Sequence, residues 1–133
     1  MAGSVKDLSK YRFEKAIDDI NAAESLYNDK FYNVALNRSY YAIFHAIRAV
    51  NALDGFDSSK HSGVIAHFNQ FHVKTGEFSK QTSKIIRNIS DFREQADYED
   101  FYEPTDMEVV DILEKAKILI EEVRVFLTAA SVL

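Results

Sequence analysis

The stretch "NVALNRSYYAIFHAIRAV", Asn33 to Val50, decides the fold. At 100° per residue, Leu36, Tyr40, Ile43, Ile47 and Val50 fall on one side of a helix, with Ala35, Ala42, Ala46 and Ala49 beside them. A helix so apolar is buried wherever it sits. Arg38, Tyr41, His45 and Arg48 fill the remaining narrow stripe, which needs its own explanation. Arg38 and His45 are seven positions apart, about two turns and about 10 Å along the axis, so both side chains reach a group lying between them. Two converging basic groups suit a phosphate.

The flanking sequence supplies the other helices. Leu8, Ala16, Ile17, Ile20, Ala23 and Leu26 recur at helical spacing from about Val5 to Tyr27, and Ser4 with Asp7 makes an N-terminal cap. The short "NDKF" link makes the next helix an antiparallel neighbour, from about Phe31 to Leu53, stopped by "DGFDSS" at Gly55. A shorter helix is predicted over Ser62 to Val73, where Val64, Ile65, Phe68 and Phe71 form a stripe. A fourth runs from about Glu77 to Ala96, with Ile85, Ile86, Ile89 and Phe92 facing inward. "TDME", a capping box of Thr105 and Glu108, opens the fifth, which reaches about Leu127. No segment shows strand alternation. The expected architecture is all-α, an antiparallel up-and-down bundle of four long helices plus one short one, in a single domain over residues 1–133.

Composition narrows the function. With 47% hydrophobic and 28% charged residues and one proline, the chain has the make-up of a compact helical domain. No apolar run is long enough for a membrane span and no signal-peptide core precedes the first helix, so a cytoplasmic location without membrane attachment is expected. The absence of cysteine removes disulfides, thiolate metal sites and cysteine nucleophiles. A net charge of −5 opposes broad nucleic-acid binding but permits a small basic cleft. Seven tyrosines and ten phenylalanines, with Phe31, Tyr32 and Tyr41 on outward-looking faces, lead to the expectation of a homodimer.

The stripe supports a definite chemistry. An imidazole takes the proton from a ribose 2′-hydroxyl or returns one to the leaving 5′-oxygen, while a guanidinium stabilises charge on the phosphorane. No cofactor or metal is required. Lys60 and His61 precede the third helix, where a lysine and free backbone amides bind an anion or merely form a solvated cap. His67 and His72 are five apart, off the i,i+4 spacing of helical metal ligands, and their helix carries no acidic residue, so no metal site is expected there. Glu14, Asp18, Asp19 and Glu24 are assigned to the solvated face of the first helix, and Glu121 and Glu122 to that of the fifth. The segment "DYEDFYEPTD", Asp97 to Asp106, is a capped connector or a docking surface for a basic partner.

Three ordered motifs carry a resemblance. "NRSYYAIFHAIRAV", then "KHSGVIAHF" at Lys60 to Phe68, then "REQADY" at Arg93 to Tyr98, resemble the HEPN family, in particular its small stand-alone prokaryotic members with an NRxYYAxFHA helix and an RxxADY signature. The resemblance implies a helical bundle that forms homodimers and is often paired with a minimal nucleotidyltransferase acting as antitoxin. Catalytic members are metal-independent endoribonucleases with an R-x(4–6)-H motif at the dimer cleft. Arg38 and His45, with six residues between them, fit that spacing. The motif usually sits on a later helix, however, and there Asp97 stands near the place of the histidine, between Arg93 and Tyr98.

The site is therefore split between the second and fourth helices, or it keeps binding without catalysis. In the first case a toxin-like homodimer cuts single-stranded RNA, with His45 as general acid/base and Arg38 and Arg93 holding the scissile phosphate. In the second, a non-catalytic module binds a nucleotide or a partner through the same stripe. Asn37, Tyr41, Arg48, Lys60, His61, Asp97 and Tyr98 are the candidate binding residues around it. Tyr98 is also the position at which a partner nucleotidyltransferase would transfer a nucleotide.

Overall fold

The computed structural model describes residues 4–133 and contains five α-helices: α1 (Val5–Asn28), α2 (Tyr32–Ala52), α3 (His61–Phe68), α4 (Lys80–Tyr98) and α5 (Asp106–Ala129). A five-residue π-helical turn, Asn69–Val73, continues α3 without a break. No strand occurs among the described residues. The all-α expectation holds, and four of the helices are long.

Pairs across the helix interfaces fix the directions. Ser9 Oγ donates to the Ala49 carbonyl at 2.7 Å, Arg12 reaches the Arg48 carbonyl, and Asp19 meets Arg38, so α1 and α2 run antiparallel. Thr82 with Glu122 and Asn88 with Lys115 show the same for α4 and α5. Phe13 beneath the Arg124 guanidinium and Glu24 paired with Lys117 do so for α1 and α5. The order is up, down, up, down, with α3 and the π turn carrying the chain between α2 and α4.

Helix α2 is the hub, packed against α1, α3, α4 and α5. Leu36, Ile43, Ile47 and Val50 are at most 1% exposed, and Ala35, Ala42, Ala46 and Ala49 are fully buried. Small side chains there, with Ala16 and Ala23 opposite on α1, leave no bulk to hold the two helices apart. Phe68, Ile89, Ile112, Leu119, Val123 and Leu127 complete one core drawn from all five helices.

Both sequence-read caps form. Ser4 and Asp7 exchange hydrogen bonds at the start of α1, and Thr105 and Glu108 do so at the start of α5. Each satisfies two backbone donors that the first turn leaves without a helical partner. Thr105→Ala is expected to cost about 1 kcal/mol, read as a lower urea midpoint at unchanged slope.

Several boundaries and exposures differ from expectation. The predicted third helix is two kinds of helix, because Lys74 N donates to the Asn69 carbonyl one residue further back than α geometry allows. Helix α4 starts at Lys80 rather than Glu77, since the chain from Gly76 (φ +86°) through Phe78 first turns its Phe78 amide onto the His72 carbonyl. Phe31 is exposed as read, but Tyr32 and Tyr41 are half-buried. Tyr32 and Tyr27 both donate to Asp106, at 2.7 and 2.8 Å, which ties the "DYEDFYEPTD" connector to the bundle end as a capped link.

Candidate functional site

The polar stripe of α2 meets side chains of α1, α4 and the start of α3, and the surface they share is termed the cleft. Arg38, Tyr41, His45 and Arg48 are all partly buried, as a stripe between two apolar flanks must be. Arg38 and His45 do converge on one group, and that group is a carboxylate. Asp19 of α1 places Oδ1 3.4 Å from the Arg38 guanidinium and Oδ2 3.6 Å from His45 Nε2. Its side chain is 18% exposed, so its assignment to the solvated face of α1 was wrong, although that assignment suits Glu14, Asp18 and Glu24. Nothing along α1 alone marks Asp19, because the α2 face that buries it lies outside that helix.

His45 is held towards its neutral form. Burial holds its imidazole below the usual range; Asp19 opposes this, while Arg48, Lys15 and Arg38 reinforce it. At 3.6 Å the Asp19 contact is too long for a hydrogen bond. Nδ1 is buried with no hydrogen-bond partner among the described residues. Nε2, held by no hydrogen bond, is the nitrogen through which this imidazole can meet a ligand.

Helix α4 adds the third cation. The Arg93 guanidinium lies 4.8 Å from the Tyr40 ring centre and 6.0 Å from that of Tyr41, while Arg38 covers Tyr41 at 4.9 Å. Tyr41 thus forms part of the floor between the two arginines. Arg93 Nε also lies 3.0 Å from Asp97 Oδ2, the i,i+4 pair anticipated from spacing. Asp97 neutralises Arg93 rather than entering the cleft as an acid. Asn37 accepts from Arg38 at 3.0 Å and helps orient it.

His61 is not a solvated cap. Its ring lies 4.1 Å from Phe44 and its Nδ1 is 2.8 Å from the Tyr40 hydroxyl. Burial, then Arg93 and Arg48, push this imidazole down, and burial pushes the Tyr40 phenol up against the opposing pull of Arg93. Both shifts favour the uncharged forms of this hydrogen-bonded pair. Lys60, by contrast, is exposed, and its backbone amide is taken by Ser58 Oγ at 3.2 Å. Tyr98 is 78% exposed at the end of α4.

Arg48 turns from the cleft to Asp57, which accepts from Nε at 3.2 Å and Nη2 at 2.9 Å. Asp57 also accepts from Arg12, a buried arginine of α1 at 8% exposure. Sequence reasoning missed both Arg12 and Asp57. A charged residue at position 12, next to Phe13 in the apolar face of α1, was the available signal.

The two depressed imidazoles set a pH dependence. The unfolded chain protonates them near the ordinary value of 6.5, and the folded protein only at lower pH. As pH falls through that window the unfolded state takes up protons first, so stability declines on the acid side of 6.5. The urea midpoint of the wild type is expected to fall between about pH 7.5 and pH 5.5, and His61→Gln to fall less, in parallel titrations.

Comparison with known proteins places the sequence in a family. The HEPN domain model matches residues 9–126, which include α2, α3 and α4 with every cleft residue named above. A protein of Methanocaldococcus jannaschii named "Putative toxin" is 31% identical over 120 residues, covering 90% of this chain and 82% of its own. A second of that organism with the same designation is 32% identical over 111 residues, 84% of this chain and 82% of its own. A UPF0332 protein of Thermotoga maritima is 33% identical over 108 residues, 81% of this chain and 82% of its own. No helix among the described residues is long and apolar enough to cross a membrane. With the family model spanning most of its length and an all-helical bundle carrying the motifs, the chain belongs to the HEPN domain family.

Proposed function

We propose that this protein is a toxin-like, metal-independent endoribonuclease that acts on single-stranded RNA as a homodimer. The observation carrying this reading is the convergence of Arg38 and His45 on one point of the α2 surface, with Arg93 of α4 alongside over the shared tyrosine floor. A scissile phosphate displaces Asp19 from Arg38. Neutral His45 takes the proton of the ribose 2′-hydroxyl, the 2′-oxygen attacks phosphorus, and the bond to the 5′-oxygen breaks. The imidazolium returns its proton to that oxygen, leaving a 2′,3′-cyclic phosphate and a 5′-hydroxyl. Arg38 and Arg93 stabilise the charge on the phosphorane.

The toxin designation of two relatives supports a two-component system. Its partner is a minimal nucleotidyltransferase antitoxin. Tyr98, with its exposed hydroxyl, is the acceptor we assign to nucleotide transfer by that partner. The added phosphate charge opposes RNA entry. Incubation with partner and ATP should add one nucleotide to the intact mass of wild type and none to Tyr98→Phe; an unchanged wild-type mass refutes the assignment.

A second reading is favoured by one observation. Both cleft arginines already face a carboxylate, Arg38 facing Asp19 and Arg93 facing Asp97, and Arg48 beside them is taken by Asp57. A cleft neutralised in this way suits a binding module for a nucleotide or a partner. The deciding assay is cleavage of end-labelled single-stranded RNA in EDTA by wild type, Arg38→Ala and His45→Ala, each confirmed folded by circular dichroism. Cleavage by wild type alone, with cyclic-phosphate ends, supports the ribonuclease; equal inertness of all three supports the binding module.

A further inference from the structure

Asp54, His67 and His72 bring their donor atoms within 4.8 Å of one another, on residues the cleft does not use. His67 Nε2 lies 2.9 Å and His72 Nε2 2.6 Å from the same atom, Asp54 Oδ2. On the far side of His72, Glu77 Oε1 is 2.6 Å from Nδ1. Helical spacing excludes His67 and His72 as a pair only on an unbroken α-helix, where five residues leave them roughly 140° apart. Here the π turn that begins at Asn69 widens the helix between them, and their rings come to 6.2 Å. The acidic member arrives from the turn that ends α2, not from the same helix.

The two imidazoles are packed among aromatic rings, while Asp54 is exposed. Phe56 stacks on His67 at 4.0 Å and 7°, and Phe71 lies at 4.5 Å on the same ring. Phe68, Phe78 and Phe126 surround His72, whose side chain is 6% exposed. Glu77 Oε1 lies on the Nδ1 side of the His72 ring and Asp54 Oδ2 on its Nε2 side, so Glu77 fixes the orientation in which Nε2 faces Asp54. Two imidazole nitrogens thus face one carboxylate oxygen, three donors gathered at one point. A carboxylate behind a histidine is also how proteins orient an imidazole towards a metal. π turns interrupting α-helices are frequent at such sites.

We propose that Asp54, His67 and His72 bind a divalent first-row transition metal, of which Zn2+ fits best, with Glu77 positioning His72 and a water completing the shell. Two imidazoles and one carboxylate are the borderline nitrogen and oxygen donors such ions take. In a tetrahedral shell with bonds of about 2.0–2.2 Å the donors stand about 3.3 Å apart, so the two imidazole–carboxylate distances need to spread by less than about 1 Å. The bound metal ties the end of α2 to α3, the π turn and the loop before α4. It acts as a clasp on the fold and takes no part in the proposed RNA chemistry.

The test uses the full chain, free of any purification tag, stripped with EDTA and dialysed. Zn2+ titrated calorimetrically should bind at about one per chain and raise the thermal midpoint. Co2+ in its place should give the visible absorption of a tetrahedral nitrogen and oxygen site. Asp54→Asn and His67→Gln should abolish both signals, and Glu77→Gln should weaken binding about ten- to a hundredfold. A wild type indifferent to Zn2+ in heat and midpoint overturns the proposal and leaves His72 as a hydrogen-bonded link between Asp54 and Glu77. Undiminished binding by Asp54→Asn and His67→Gln overturns it equally. If either variant proves unfolded by circular dichroism, Glu77→Gln and the Co2+ spectrum of wild type decide by the same criteria.

Discussion

His45→Ala is expected to slow RNA cleavage by about 10²–10⁴-fold, the usual worth of a positioned general acid/base. The loss should appear in kcat, because the imidazole acts on a proton that moves only in the transition state. Stability should change far less than activity, since the ring is partly exposed and its nearest charged partner, Asp19, stays 3.6 Å away, beyond hydrogen-bond distance. The pH profile carries the finer test. Burial keeps His45 neutral to below the ordinary 6.5, so the rate should fall on the acid side of that value and hold steady above it. Asp19 is the opposing influence that favours the protonated ring. Asp19→Asn should therefore move the acid limb to still lower pH, while freeing Arg38 to meet the phosphate without a competing carboxylate. A profile unmoved by Asp19→Asn, or a His45→Ala protein as active as wild type, removes His45 from the chemistry.

Phe68→Ala carries the largest expected stability loss, about 3–5 kcal/mol in urea unfolding. Phe68 is 0% exposed, lies 5.0 Å ring to ring from Phe78, and sits at the junction of α3 with the π turn. Its removal leaves a cavity between two elements that the rest of the core cannot close without moving α3. Phe101→Ala is the control. That ring is fully exposed in the connector before α5, so its loss should stay within about 0.5 kcal/mol. Equal losses at both positions are incompatible with this packing.

The bundle was legible because its rules are local. Helical periodicity located α1, α2, α4 and α5 to within a few residues, and two capping boxes marked the starts of α1 and α5. Those signals reside within a few turns of chain, where backbone hydrogen bonding and side-chain spacing dictate the outcome. The α2 stripe was legible for the same reason, since one helix face is a property of one helix. The π turn was not, because it preserves the apolar stripe of Val64 and Phe68 while shifting the register after it.

The sequence by itself determined the all-helical fold, the buried hub helix, the convergence of Arg38 with His45, and the family to which the motifs pointed. Only the tertiary structure decided which charges meet. Asp19 looks solvated along α1 until α2 covers it, and Asp57 becomes the partner of Arg12 and Arg48 only when the turn after α2 folds back. His67 and His72 acquire a carboxylate ligand from the end of another helix. The physical reason is common to all three. Periodicity reports which face of an element avoids water, whereas the pairing of polar groups depends on which elements become neighbours, and that is settled when the core closes.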